Sequence, residues 1–129
     1  METNKVVARF KDGSLMKGTA QDFSQDKLMF RFETVSGEEQ TINVERLKAL
    51  FWVKDFAGDP DRKDLYVDNL DIGGRKIEIK FKDGELMQGN TLDYSPNKSG
   101  FILLPSDPNS NNLGVFVVNS ASNKIRFLD

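Results

Sequence analysis

The chain has 129 residues, of which 38% are hydrophobic and 29% charged, and its formal net charge is −2. This composition is typical of a globular protein and excludes a largely disordered or membrane-embedded chain. Because cysteine and histidine are absent, disulfides, thiolate zinc sites and the commonest catalytic base are excluded as well. The polar start METNKVVARF lacks an apolar signal core, so the expected location is the cytoplasm.

The charges are distributed unevenly along the chain. Residues 55–74 contain six aspartates against Arg62 and Lys63, a net charge of −4, whereas residues 1–54 and 75–129 each have a net charge of +1. A nucleic-acid-binding domain usually has a clear basic excess, because neutralising phosphates provides much of its affinity. Neither of these two ranges has such an excess. The sequence therefore predicts two nearly neutral domains, 1–54 and 75–129, joined by an acidic linker at 55–74.

A nine-residue phrase occurs twice. FKDGSLMKG begins at Phe10 and FKDGELMQG begins at Phe81, 71 positions later. Over the aligned ranges 10–32 and 81–103, 11 of 23 positions are identical. Such a repeat indicates duplication of one structural unit. Units of this size are marginal alone, so we expect the two to pack together.

The first part of each unit reads as a β-hairpin. Residues 6–10 alternate in the pattern of a half-buried strand. Asp12-Gly13 then follows, a pair favoured in type I′ turns, where both central residues have positive φ. A second strand is predicted to return from Leu15. Gly18 lies inside it, which indicates a bend or a bulge.

The rest of each unit is predicted to add three short strands, with one helical turn before the last. In the first unit the three strands are expected at 28–35, 41–44 and 48–54, and the turn at 45–47. The second unit follows the same plan through Asp83-Gly84, Gly89 and a strand at 100–104. No helix of ten or more residues is predicted. The predicted fold class is all-β, with two tandem small five-stranded SH3-like barrels packed together.

The spacing of the turn and bend residues resembles the first Sm motif. The matching positions are Asp12, Gly13, Gly18 and Phe23 in the first unit, and Asp83, Gly84, Gly89 and Tyr94 in the second. INVERLKALFWV similarly resembles the second Sm motif, a strand–turn–strand. The resemblance implies an Sm-like barrel, RNA binding, and edge-to-edge assembly through the fourth and fifth strands. The phrases FKDGELMQGNTLDYSPNK and FVVNSASNKIRFL also resemble an uncharacterised bacterial domain family of unknown function.

RNA binding is the alternative function. The bacterial Sm-like RNA chaperone uses a Lys-His pair before its last strand, but Glu45-Arg46 stands at that place here. The base-binding pair is therefore not carried over. Four lysines remain as phosphate contacts, diluted by nearby glutamates: Lys11, Lys17, Lys82 and Lys98.

Other chemistries are less favoured. No catalytic motif occurs, so we predict no enzymatic activity. Counted from Asp59 as an EF-hand loop, position six is Asp64 and position twelve is Leu70, which does not fit calcium binding. No metal or other cofactor is therefore expected. DYSPNKSG resembles the cyclic-dinucleotide motif of PilZ barrels, but Lys98 replaces its glycine and the paired arginines are missing.

The segment LFWVKDF, residues 50–56, is apolar on both faces of a predicted strand. Such a strand covers a second surface besides its own core. That surface is either the other barrel or an exposed site for a partner or for self-association. The leading hypothesis is a non-catalytic module that binds a protein partner or itself, with no membrane contact. The candidate contact residues are Arg46, Phe51, Trp52 and Phe56, followed by Tyr94 and Lys98.

Overall fold

The computed structural model describes residues 4–57, 74–107 and 109–128. Most of the predicted acidic linker lies outside these residues. The described residues form ten strands, all paired antiparallel in one sheet, with two short 3-10 turns. No helix among them is long and apolar enough to span a membrane. The strands are β1 (Val6–Phe10), β2 (Leu15–Ala20), β3 (Met29–Thr34), β4 (Glu39–Asn43), β5 (Leu47–Val53), β6 (Arg75–Phe81), β7 (Leu86–Thr91), β8 (Gly100–Pro105), β9 (Asn112–Val118) and β10 (Ser122–Phe127).

The order of strands in the sheet is β10-β6-β7-β8-β9-β5-β1-β2-β3-β4. We call β1–β5 the first half and β6–β10 the second half. In both halves the last strand lies beside the first, and the second, third and fourth follow in turn. The expected all-β class is confirmed, and each predicted strand is found within a few residues of its predicted bounds. The predicted turn before the last strand is a 3-10 turn at Val44–Arg46, repeated at Asn119–Ala121.

The sheet is open rather than visibly divided into two closed barrels. The strand β5 pairs with β1 on one side and with β9 on the other, so hydrogen bonding continues from the first half into the second. The fourth strand of the first half, β4, pairs with β3 and ends the sheet. The two halves consequently share one apolar core, to which buried side chains of both contribute.

The predicted type I′ turn at each Asp-Gly pair is wrong. No described non-glycine residue has positive φ, whereas Gly13 has a φ of 90° and Gly84 a φ of 93°. The Gly13 amide donates to the Phe10 carbonyl, and the Phe10 amide donates to the Ser14 carbonyl. This is a tight turn followed by a left-handed glycine, the second common way to close a short hairpin. Asp12 instead accepts bonds from the Ser14 amide and hydroxyl.

The glycine inside each returning strand allows another strand to come close. A Cβ atom placed on Gly18 would lie 2.0 Å from the Glu33 carbonyl oxygen of β3. On Gly89 it would lie 2.3 Å from the Leu104 carbonyl oxygen of β8. The strand register shows no bulge at either glycine. Close backbone approach is therefore the structural reason for glycine here.

Candidate interaction site at the sheet junction and the sheet edges

The two halves are joined by the antiparallel pair of β5 and β9, which we call the junction. At its centre, Leu50 lies opposite Phe116 and Trp52 lies opposite Gly114. The last strand of the first half thus meets the fourth strand of the second half. The junction is therefore asymmetric, since its two strands occupy different positions in their halves.

Both faces of β5 are covered because it lies between two groups of core side chains. Leu50 is the register partner of Ala8 and shares the inner face of the first half. Its neighbour Phe51, only 6% exposed, is the register partner of Val115, which in turn lies opposite Leu103 of β8. Successive side chains of a strand point to opposite faces. One face of β5 therefore contributes to the first-half side of the shared core, and the opposite face contributes to the second-half side.

An aromatic cluster crosses the junction. The ring of Phe116, fully buried, lies 4.9 Å from that of Phe23 in the first half. The Phe23 ring also lies 5.3 Å from Phe30 and 5.7 Å from Trp52. Edge-to-face pairs at such distances contribute about 0.5–1.5 kcal/mol beyond their buried area. The second half thus supplies a ring that completes the cluster of the first.

Three of the predicted contact residues lie on or just after β5. Phe51 is buried in the core, whereas Trp52 and Phe56 are partly buried and pack against it. Arg46 is exposed and precedes β5, with its guanidinium 5.6 Å from the ring centre of Phe10. Residues 50–53 of LFWVKDF are therefore packed between the two halves, whereas Lys54 and Asp55 are exposed.

The other two predicted residues lie in the second half, between β7 and β8. The ring of Tyr94 lies 5.1 Å from Phe101 and 5.5 Å from Phe127 of β10. Lys98 is exposed in a turn, and its carbonyl accepts a bond from the Asn119 side chain. Tyr94 is thus close to the outermost strand of the second half. The structure does not join it to Phe51 in one site.

The sequence did not predict one lysine that connects the two halves by hydrogen bonds. The ammonium of Lys48 in β5 donates to Asp83, at 2.6 Å, and to Glu85. It also lies 4.7 Å from the ring centre of Phe81. The Lys48 side chain is only 11% exposed. The one available signal was a single charge inside the apolar run LKALFWV. We call Lys48, Asp83 and Glu85 the lysine cluster.

The lysine cluster predicts a pH dependence of stability. The bond from Lys48, followed by that from the Glu85 amide, holds the pKa of Asp83 below its ordinary value of 3.8. Because the folded pKa is the lower one, the stabilisation is present above the ordinary pKa and is lost as pH falls through the folded pKa. Solvent screens this half-exposed carboxylate, so Asp83→Asn should cost roughly 0.5–1 kcal/mol at pH 7. In urea unfolding the cost should shrink below about pH 4.

The matched control for this experiment is Asp12→Asn. Asp12 occupies the equivalent turn and bonds to Ser14, and no lysine of the described residues makes a salt bridge to Asp12 itself. The loss at neutral pH should be larger for Asp83→Asn than for Asp12→Asn. Equal losses for the two variants would show that Lys48 contributes nothing through Asp83.

The two ends of the sheet are β4 and β10, and neither has a second strand neighbour among the described residues. On β4, the Val44 amide bonds to the Leu28 carbonyl, and the Glu38 carbonyl accepts from Thr34. Hydrogen-bonded pairs alternate along an antiparallel ladder, so the backbone groups of Thr41 point away from β3. The bond from Leu128 to Lys76 places those of Ile125 and Phe127 outward from β6 in the same way.

The side chains at the two ends carry opposite charges. Glu39 begins β4 and Glu38 directly precedes it, whereas Lys124 and Arg126 lie on β10. Arg126 is 3.0 Å from Glu78, and Arg31 is 3.8 Å from Glu39, and all four side chains except that of Glu78 are largely exposed. Each end could therefore form further charged contacts. Within the described ranges, no group of three or more carboxylates is arranged to hold a metal ion.

Comparisons were made with curated proteins, solved structures and protein families. No curated protein and no solved structure matches the chain. The model of one family, described as a family of unknown function (DUF6982), matches residues 2–129. The match spans both halves and the segment between them. The chain therefore belongs to this family of unknown function.

Proposed function

We propose that the protein is a non-catalytic interaction module, built from two tandem small Sm-like barrels, that assembles with further copies of itself through its sheet edges. The main observation in support of the proposal is the asymmetry of the junction. It joins a last strand, β5, to a fourth strand, β9. The two ends of the sheet are the remaining fourth strand, β4, and the remaining last strand, β10. The chain thus ends in the two kinds of edge that it pairs internally.

The backbone groups at these edges match those of the junction. Leu50 of β5 pairs with Phe116 of β9, and the repeat places Ile125 at the position of Leu50 and Thr41 at that of Phe116. Ile125 and Thr41 both direct their backbone N–H and C=O groups outward. If β10 docks on the β4 of a second copy in the register of the junction, these groups face each other.

Charge complementarity supports the same arrangement. The acidic start of β4 would lie beside the basic β10, which favours this pairing over β4 with β4 or β10 with β10. An exposed sheet edge is normally shielded, since it offers unpaired groups to any other strand. Pairing between copies would satisfy both edges. Because each copy has one edge of each kind, the contact is head-to-tail.

The decisive variant is Thr41→Pro. Proline removes the outward N–H of Thr41 and no bond to β3, and proline is tolerated at such edge positions. In sedimentation equilibrium we expect the apparent mass of the wild-type protein to exceed the 14.6 kDa of one chain. The Thr41→Pro variant should have the mass of a monomer. Thr41→Val keeps the N–H and should still associate. Unfolding curves check that both variants remain folded.

A monomeric wild-type protein at every concentration would overturn the proposal. If that monomer bound single-stranded RNA with affinity falling steeply as salt rises, the alternative RNA-binding function would replace it. High salt should also weaken self-association, because part of the contact is between opposite charges. The two cases are distinguished by whether RNA is required for any complex.

A further inference from the structure

In each half a cationic side chain lies over the equivalent phenylalanine, but the two cationic side chains come from different positions of the chain. Phe10 and Phe81 are equivalent positions of the repeat. Over Phe81 the cation is Lys48, which comes from the other half. Over Phe10 the cation is Arg46, which belongs to the same half as the ring.

The positions around these rings differ in a compensating way. Counting from each 3-10 turn, Arg46 in the first half corresponds to Ala121 in the second, and Lys48 corresponds to Asn123. At the junction, the docking strand β5 brings Lys48, and the turn beside Phe81 carries only the small, buried Ala121. At the free β4 edge, the turn already carries Arg46, and the strand proposed to dock there, β10, brings the neutral Asn123. Either way, one cation meets each ring.

The acceptors follow the same pattern. The lysine cluster has two carboxylates, Asp83 and Glu85, around the incoming ammonium. Their equivalents beside Phe10 are Asp12 and Ser14, one carboxylate fewer. A second cation there would share one carboxylate with Arg46 and would lose hydration without a counter-charge of its own. The first half is therefore suited to a neutral incoming side chain.

The space for that side chain is open. A pocket beside β4 is lined by Phe10, Ser14, Thr41 and Arg46, among other residues. In the junction register, Lys124 would lie opposite Ile42, which places its neighbour Asn123 at the end of β10 nearest the turn with Arg46. The amide of Asn123 can donate to Asp12 and accept from Arg46, as neither lysine nor alanine could.

We infer that Arg46 and Asn123 form a specificity pair, which matches the β10 of one copy to the β4 of a second copy and rejects a strand with a lysine at that place. This inference rests on the proposed self-assembly and names the residues that select its partner. The rejected strand includes β5 itself, whose Lys48 would meet Arg46. The pair therefore favours docking of β10 at the open edge over exchange of β5 between copies.

The test is a swap of the two residue sets, followed by sedimentation equilibrium. Asn123→Lys places two cations at Phe10 and should weaken association about tenfold or more, since like charges in contact are costly. Arg46→Ala combined with Asn123→Lys reproduces the Lys48–Ala121 arrangement of the junction and should restore association to within about threefold of wild type. Asn109→Lys adds the same charge at an exposed loop position and should leave association unchanged.

The outcomes separate the inference from the proposed function. If the wild-type protein associates but the double variant remains as weak as Asn123→Lys alone, the specificity pair is overturned and self-assembly stands. If the wild-type protein is monomeric, self-assembly fails and the inference fails with it. The unfolding curve of Asn123→Lys should match that of the wild type, because Asn123 is exposed.

Discussion

Replacing Phe116 with Ala is expected to lower the free energy of unfolding by about 3–5 kcal/mol. Phe116 is fully buried on β9 and contacts Phe23 in the first half, so its loss leaves a cavity where the two halves meet. The measurement is chemical unfolding followed by the fluorescence of Trp52, which belongs to the same aromatic cluster. A single transition at lower denaturant is expected, because the core is shared by both halves.

The matched control is Thr41→Ala, at the position equivalent to Phe116 in the first half. Thr41 lies on the free edge and is exposed, so its truncation should change stability by less than about 0.5 kcal/mol. Two separate transitions in the Phe116→Ala variant would mean that the halves unfold independently. A loss no larger than that of Thr41→Ala would contradict the role assigned to the junction.

The sequence was sufficient to predict the strands but not the pairing between the halves. Alternation in residues 6–10 and the doubled Asp-Gly phrase locate the hairpins, since strand period and turn chemistry are local properties. The apolar residues on both faces of LFWVKDF also indicated a second covered surface. Which strand covers that surface depends on contacts between residues far apart in the chain. No local pattern identified β9 as the neighbour of β5.

Local patterns gave a wrong prediction where one short sequence is compatible with two backbone conformations. Asp-Gly fits a type I′ turn, and it equally fits a tight turn followed by a left-handed glycine, which the structure has at Gly13 and Gly84. The two turns differ by one residue in loop length, and the loop length is known only once the ends of the two strands are known. Lys48 was missed for a similar reason. Its charge is stabilised by Asp83 and Glu85, which are distant in sequence.

The proposed contact combines one residue that the sequence singled out, Arg46, with others that it did not. Arg46 was chosen for its position before the last strand, whereas the predicted contact residue Tyr94 lies outside the proposed contact. Thr41, Ile125 and Asn123 carry no chemical signature, because an outward backbone group is a property of the sheet and not of the side chain. Their importance follows from comparing each with its equivalent at the junction.

Gly18→Ala is expected to be among the most destabilising substitutions of the chain, at roughly 3 kcal/mol or more. The added Cβ would lie 2.0 Å from the Glu33 carbonyl oxygen, 2.8 Å from the Glu33 carbonyl carbon and 2.9 Å from the Thr34 Cα. All three are backbone atoms of or beside the paired strand β3, so they cannot move aside as a side-chain end would. The strands β2 and β3 must separate, which weakens the ladder that supports β4.

The control, Gly13→Ala, distinguishes lack of space from glycine's conformational freedom. Gly13 has a φ of 90°, but a Cβ there would meet nothing within 4 Å, so only backbone strain of about 1–2 kcal/mol is expected. Thermal and urea unfolding of the two variants give the comparison directly. If Gly18→Ala costs no more than Gly13→Ala, the strands are not held in close contact at Gly18. In that case the alternative expectation of a bend at this residue would explain the glycine better.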